Sequence, residues 1–136
     1  MTDLTRKGNF AEKKAVCASA ATLLHSDVAD TAQQDLFNLP ANALITDAYC
    51  ITKVAGQALL TVDFGFDGGA ELGNDMDIDN TGVVTGTPDT TAIDTGTGQK
   101  VTATFSADPT AGEFVFIVEY IEYTLGTGKL TEMTRA

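Results

Sequence analysis

The chain has 136 residues, 43% of them apolar and 20% charged, and its 19 acidic side chains against 8 basic ones leave a net charge of −11. That length suits one domain, able to bury about two-thirds of the surface of its unfolded chain without help from disulfides or metal. No stretch approaches the ~20 apolar residues that cross a bilayer as a helix, and the negative charge repels phosphate backbones, so neither a membrane nor a nucleic acid is an expected partner.

In chain order, the first fourteen residues, MTDLTRKGNFAEKK, hold Arg6, Lys7, Lys13 and Lys14, half of all the basic side chains. They contain no apolar core region and no small-residue cleavage site, so they do not read as a secretory signal, and synthesis in a cytoplasm is expected. Opposite in charge to the remainder, residues 1–14 read as an exposed, poorly ordered arm or, more sharply, as an arm that docks on an acidic partner surface, followed by a single domain over residues 15–136. The stretch FAEKKAVCASAA, Phe10 to Ala21, tolerates a short helix, whereas the TLLH and turn-like SDVAD that follow favour a strand. Both assignments stay open.

Gln34 to Leu39 is a short apolar strand stopped by Pro40, which has no N–H for a ladder. Ala43 to Val54 (ALITDAYCITKV) reads as a long strand with Ile45, Tyr49 and Ile51 on one face and Leu44, Ala48, Cys50 and Val54 on the other. Apolar groups on both faces suit the middle of a sandwich. Leu59 to Phe66 (LLTVDFGF) alternates most cleanly, with Leu60, Val62, Phe64 and Phe66 inward and Thr61, Asp63 and Gly65 outward. The short turn Ala55-Gly56-Gln57 between these strands predicts that they pair as a hairpin.

From Asp67 to Gln99 the composition changes. Eight acidic residues fall between Asp63 and Gln99, and no lysine or arginine occurs between Lys53 and Lys100. The apolar pieces Met76-Asp77-Ile78, Val83-Val84 and Ala92-Ile93 predict short strands joined by long loops. Lys100 to Ala107 then places Val101, Ala103 and Phe105 on one face, and Asp108 to Gly112 is a turn. Glu113 to Leu125 (EFVFIVEYIEYTL) is a long strand with Phe114, Phe116, Val118 and Tyr120 on one face and Val115, Ile117, Ile121 and Tyr123 on the other. A final short strand is expected over Lys129 to Met133. About eight strands with almost no helix predict an all-β protein, an antiparallel β-sandwich of jelly-roll type whose strand order the pattern does not reveal. In so small a sandwich, a strand with two apolar faces needs cover on its outer side, from a second layer or an oligomer interface.

Chemistry is sparse. Asp75, Asp77 and Asp79 alternate like the opening of a calcium loop, but Asn80 stands where a glycine is required and Gly86 where a glutamate is. They are weak metal candidates, and an acidic strand edge is the simpler reading. Cys17 and Cys50 lie in apolar stretches and read as reduced, buried small side chains; with the single histidine, His25, they cannot complete a zinc site. No nucleophile elbow or phosphate loop occurs, and His25 reads as a surface residue. Glu113, Glu119 and Glu122 flank an aromatic strand, but sugar chemistry in a small domain without tryptophan is a poor fit. No enzyme activity, no cofactor and no catalytic residue are expected. Binding to other surfaces is the better expectation.

Three segments resemble the small head decoration, or cement, proteins of tailed bacteriophages and related virion proteins. They are Leu39-Pro40-Ala41-Asn42-Ala43-Leu44-Ile45-Thr46-Asp47, the alternating Lys100 to Phe105, and Pro109-Thr110-Ala111-Gly112-Glu113 leading into Val118-Glu119-Tyr120. The resemblance implies a sandwich seated on the outside of an assembled capsid, as a dimer or trimer, with the major capsid protein as partner. It assigns capsid contact to the arm, through Arg6, Lys7, Phe10, Lys13 and Lys14. A calcium- or carbohydrate-binding module and a tail or fibre component are the alternatives.

Overall fold

The computed structural model describes residues 16–28, 33–88 and 98–122. Its strands are β1 Cys17–Leu24, β2 Gln34–Leu39, β3 Ala43–Val54, β4 Thr61–Phe66, β5 Gly73–Asp77, β6 Gly82–Thr85, β7 Gln99–Phe105 and β8 Glu113–Glu122, with one 3-10 turn, His25–Asp27, after β1. They form two four-stranded sheets, β1-β8-β3-β6 (sheet A) and β2-β7-β4-β5 (sheet B). All pairs are antiparallel. Consecutive strands change sheet at every step except from β4 to β5 and therefore wind as a jelly roll. The expected sandwich is present, and of the two assignments left open for its first segment, Cys17–Leu24 is strand.

The expected hairpin between Ala43–Val54 and Leu59–Phe66 does not form. β3 lies between β8 and β6 in sheet A, and β4 between β7 and β5 in sheet B. Each strand has a mainly apolar inner face, Ala43, Ala48 and Cys50 beside Thr52 on β3 and Val62, Phe64 and Phe66 on β4, and placing them in opposite layers lets those faces meet across the core instead of lying side by side. The connection crosses the end of the sandwich. Gly56 N–H donates to the Ile78 carbonyl at 3.0 Å, and Leu59 adopts φ 66°, in the left-handed region. The Asp79 carboxylate holds that turn by accepting Leu59 N–H at 2.9 Å. Among the described strands, the one same-sheet hairpin is β4–β5.

Inward side chains of the two sheets fill the space between them. Phe64 and Phe105 from sheet B meet Phe114 and Phe116 from sheet A, with ring centroids 5.1 Å apart for Phe64–Phe116 and 5.5 Å for Phe105–Phe114. Leu60, Val62, Leu72, Ile78, Val101, Ala103 and Val118 are buried around them. Cys50 belongs to it too, and burial pushes its thiol up to about 12. Cys50 is buried and Cys17 half-buried.

Candidate functional site

The two outer faces of the sandwich differ in chemistry. Sheet B turns polar groups outward: Asp35, Asn38 opposite Lys100, Asp63 opposite Thr104 and Thr61 opposite Asp77, while Thr102 in the same row is covered and accepts Gly68 N–H at 2.8 Å. Lys100 pairs with Asp35 at 3.4 Å. Such a face is at ease in water.

Sheet A turns mostly apolar groups outward, in rows set by its register. One row joins Leu44 to Ile121; another joins Ala20, Ile117, Tyr49 and Thr85; a third joins Thr22, Val115, Ile51 and Val83. Leu44 is 41% exposed and Val83 64%. Between the first and second rows lies an acidic one, in which Asp47 stands directly opposite Glu119, with Ala18 on the far side of Glu119. Like charges facing across a ladder repel. Tyr49 reports the concentration of negative charge: its hydroxyl is hydrogen-bonded to Glu119, which with partial burial and the nearby Asp47 charge pushes the phenol up to about 12. Lys53 and Lys100 are the only lysines among the described residues, and Lys53 is engaged at the far end of the face with Glu113, at 3.3 Å.

A bulge creates this arrangement. The register of β3 on β8 shifts between Ile45 and Asp47, and the Thr46 hydroxyl donates to the Glu119 carbonyl at 3.2 Å. The extra residue flips the alternation. Ile45 therefore packs toward the core while Tyr49 and Ile51 point outward with Leu44, which corrects the expectation that Ile45, Tyr49 and Ile51 share a face. Sequence reading recognised the second apolar face of β8. It missed the Asp47–Glu119 row, since a strand-to-strand register leaves no mark on one strand alone.

The other candidates resolve as follows. Arg6, Lys7, Phe10, Lys13 and Lys14 lie outside the described residues, as do Ala92-Ile93, Tyr123 to Leu125 and Lys129 to Met133. Asp75, Asp77 and Asp79 are not brought together as ligands; among the described residues no three His, Cys, Asp or Glu side chains form a metal-binding group. Asp79 serves the backbone of Leu59, and the Asp77 carboxylate accepts Asp79 N–H at 3.2 Å. His25 is exposed in the 3-10 turn. Glu113 and Glu119, six residues apart on one strand face, are separated by about 20 Å, beyond the ~10 Å within which two carboxylates serve one glycosidic bond.

The fold places the chain among double-layer jelly rolls. No protein-family model matches it, and no curated protein matches it by sequence. Solved structures do resemble it in shape. A chain in the capsid of Ralstonia phage GP4 superposes with a TM-score of 0.61 at 19% identity, covering 89% of this chain and 94% of that one. A chain in the acidic stable capsid structure of Helicobacter pylori bacteriophage KHP30 gives 0.59 at 16% identity, covering 80% and 90%. A chain in the capsid asymmetric unit of cyanophage Pam1 gives 0.59 at 14% identity, covering 90% and 98%. At these identities the likeness is one of fold.

Proposed function

We propose that the chain is a structural protein of a phage virion, which binds the outside of an assembled capsid and stabilises it by bridging neighbouring copies of the major capsid protein. The observation that carries the reading is the outer face of sheet A: two rows of apolar side chains, centred on Ile117, Val115, Tyr49 and Ile51, on a chain of net charge −11 whose other outer face is polar. A solvated sheet face has no need of them, and contiguous apolar surface of this kind marks a contact. The shared fold with chains found in three phage capsids supports the setting. In this role the chain is made in the host cytoplasm, resides on the capsid surface and needs neither catalysis nor cofactor. Many copies, acting as dimers or trimers, sum weak contacts into firm attachment through avidity.

The test is co-sedimentation with assembled shells of the parent phage. Ile117→Lys places a charge in the middle of the face without touching the core. It is expected to lower the bound fraction at least tenfold while leaving the melting temperature close to that of the wild type. Wild-type binding by a variant that is folded would reject docking through this face. Absence of wild-type binding to shells would reject the virion role itself.

A further inference from the structure

Each sheet of the sandwich ends in two edge strands, and among the described residues three of the four carry features that stop another strand from adding. β2 has Asp35 and a register shift beside it. β5 carries Asp77 and Asp75, the latter in the left-handed region at φ 51°. β6 is four residues long and opens on Gly82 at φ 136°. β1 has none of these. Its eight residues, CASAATLL, include no charge, proline or glycine, and its register on β8 runs without a shift from Cys17 to Leu24.

The direction of the backbone groups on β1 follows from its last residues. His25 N–H donates to the Gly112 carbonyl, in line with the β1–β8 ladder, at 2.9 Å. Bonded and non-bonded pairs alternate along an antiparallel ladder, so the odd-numbered residues bond β8 and the N–H and C=O groups of Ala18, Ala20 and Thr22 point away from it. Leu24 N–H points the same way, and there the Asp27 carboxylate accepts it at 2.9 Å, closing that end of the edge. What a further strand meets is the backbone of Ala18, Ala20 and Thr22.

The side chains fit one strand in particular. Val16 is 59% exposed and Leu24 44%, and alternation puts both on the outer face, at the two ends of a run of small residues. An antiparallel second β1 centred on Ala20 sets Val16 against Leu24 of the second copy at both ends, Ala18 against Thr22, and Ala20 against its own counterpart. Ala18, Ala20 and Thr22 then each give and receive a backbone hydrogen bond. We propose that β1 is a dimer interface: two copies of this chain pair β1 to β1 about a two-fold axis at Ala20 and join their A sheets into one.

The charges agree with this register. The row of Tyr49, Ile117 and Ala20 runs straight through the axis into its copy. The acidic row does not meet itself, since it passes from Glu119 through Ala18 to Thr22 of the second copy, which is in line with Val115 and Ile51. The two Glu119 side chains are about 20 Å apart, farther than the ~8 Å over which exposed charges act at physiological salt. The pairing is a property of the free chain and does not rest on the capsid reading. Where that reading also holds, the joined sheet presents two docking faces side by side, as a bridge between neighbouring subunits needs.

Sedimentation equilibrium of the full chain, with no shells present, tests the proposal. Wild type is expected at twice the chain mass, dissociating on dilution. Ala20→Pro removes an N–H that β8 does not use, a place where an edge strand accepts proline. It is expected to keep the far-ultraviolet spectrum of the folded sheets and to weaken dimerisation at least tenfold. Ala20→Lys leaves the backbone intact and sets like charges face to face at the axis; it is expected to do the same, and it stands in for the proline variant if that one fails to fold. Residue-resolved amide exchange reads the register. The amides of Ala18 and Thr22 are expected to exchange at least tenfold more slowly in the wild-type dimer than in Ala20→Lys. A wild-type chain of single mass overturns the proposal, and so does a mass of three chains, which a two-fold pairing excludes. Dimers that persist in a folded Ala20→Pro or Ala20→Lys, or protection that changes only away from β1, assign the contact to another surface and overturn it as well. None of these outcomes depends on whether the chain binds a capsid, so co-sedimentation with shells can fail or succeed independently.

Discussion

Phe116 shows how one side chain ties the layers together. It is fully buried, tilted against Phe64 of the opposite sheet at 5.1 Å and edge-on to Phe105 at 6.4 Å. Truncation removes the transfer free energy of a ring and leaves a cavity that flanking strands cannot close, because their ladders fix their spacing. Phe116→Ala is expected to cost about 3–5 kcal/mol, read as a lower midpoint in urea unfolding; a loss under about 1 kcal/mol would mean that the two sheets can close around the gap. The neighbouring residues on β8 face the other way. Ile117 and Val115 matter little to the core and greatly to the outer surface. The alternation that separates these roles is plain in EFVFIVEYIE, since a strand's period of two needs no tertiary information.

At the level of elements, the loop between β3 and β4 depends on the segment after β5. Leu59 is 86% exposed in a left-handed conformation that leucine disfavours, and the Asp79 carboxylate fixes it by accepting its N–H. Hydrogen bonding with the Asp77 side chain, then with the Leu59 N–H, holds the Asp79 carboxyl below the usual carboxylate value. As pH falls the unfolded chain therefore takes up this proton first. The stability that Asp79 provides is complete above the ordinary carboxylate range and is lost as pH drops through that range toward the folded-state value. Melting temperatures from about pH 6 to about pH 3 should fall less steeply for Asp79→Asn than for wild type. Equal slopes would show that the clamp contributes nothing. Asp79, a weak metal candidate in the sequence, instead serves a backbone N–H of a crossing that sequence read as a simple hairpin turn, and Asp77 accepts the N–H of Asp79.

Taken as a whole molecule, the jelly roll joins strands that are distant in sequence. β1 pairs with β8, and β2 with β7. Such pairings must close long loops before any contact repays the entropy lost, so refolding is expected on the millisecond-to-second scale. Stopped-flow fluorescence of the tyrosines after dilution from denaturant checks this, and microsecond folding would contradict a topology of this kind.

The sequence by itself determined most of the strands, the inward residues of β4, β7 and β8 and the surplus apolar face of β8, because alternation and turn residues act over a few neighbours along the chain. Ala43–Val54 was legible to its ends, and Leu60, Val62, Phe64 and Phe66 were legible as core. Only the tertiary structure decided which strands pair, that β3 and β4 lie in opposite sheets, that a bulge at Thr46 turns Tyr49 and Ile51 outward, and that Asp47 stands against Glu119. Each of these depends on the register between segments separated by tens of residues. Register is settled by the packing of two apolar layers against each other, a quantity that belongs to no single stretch of chain.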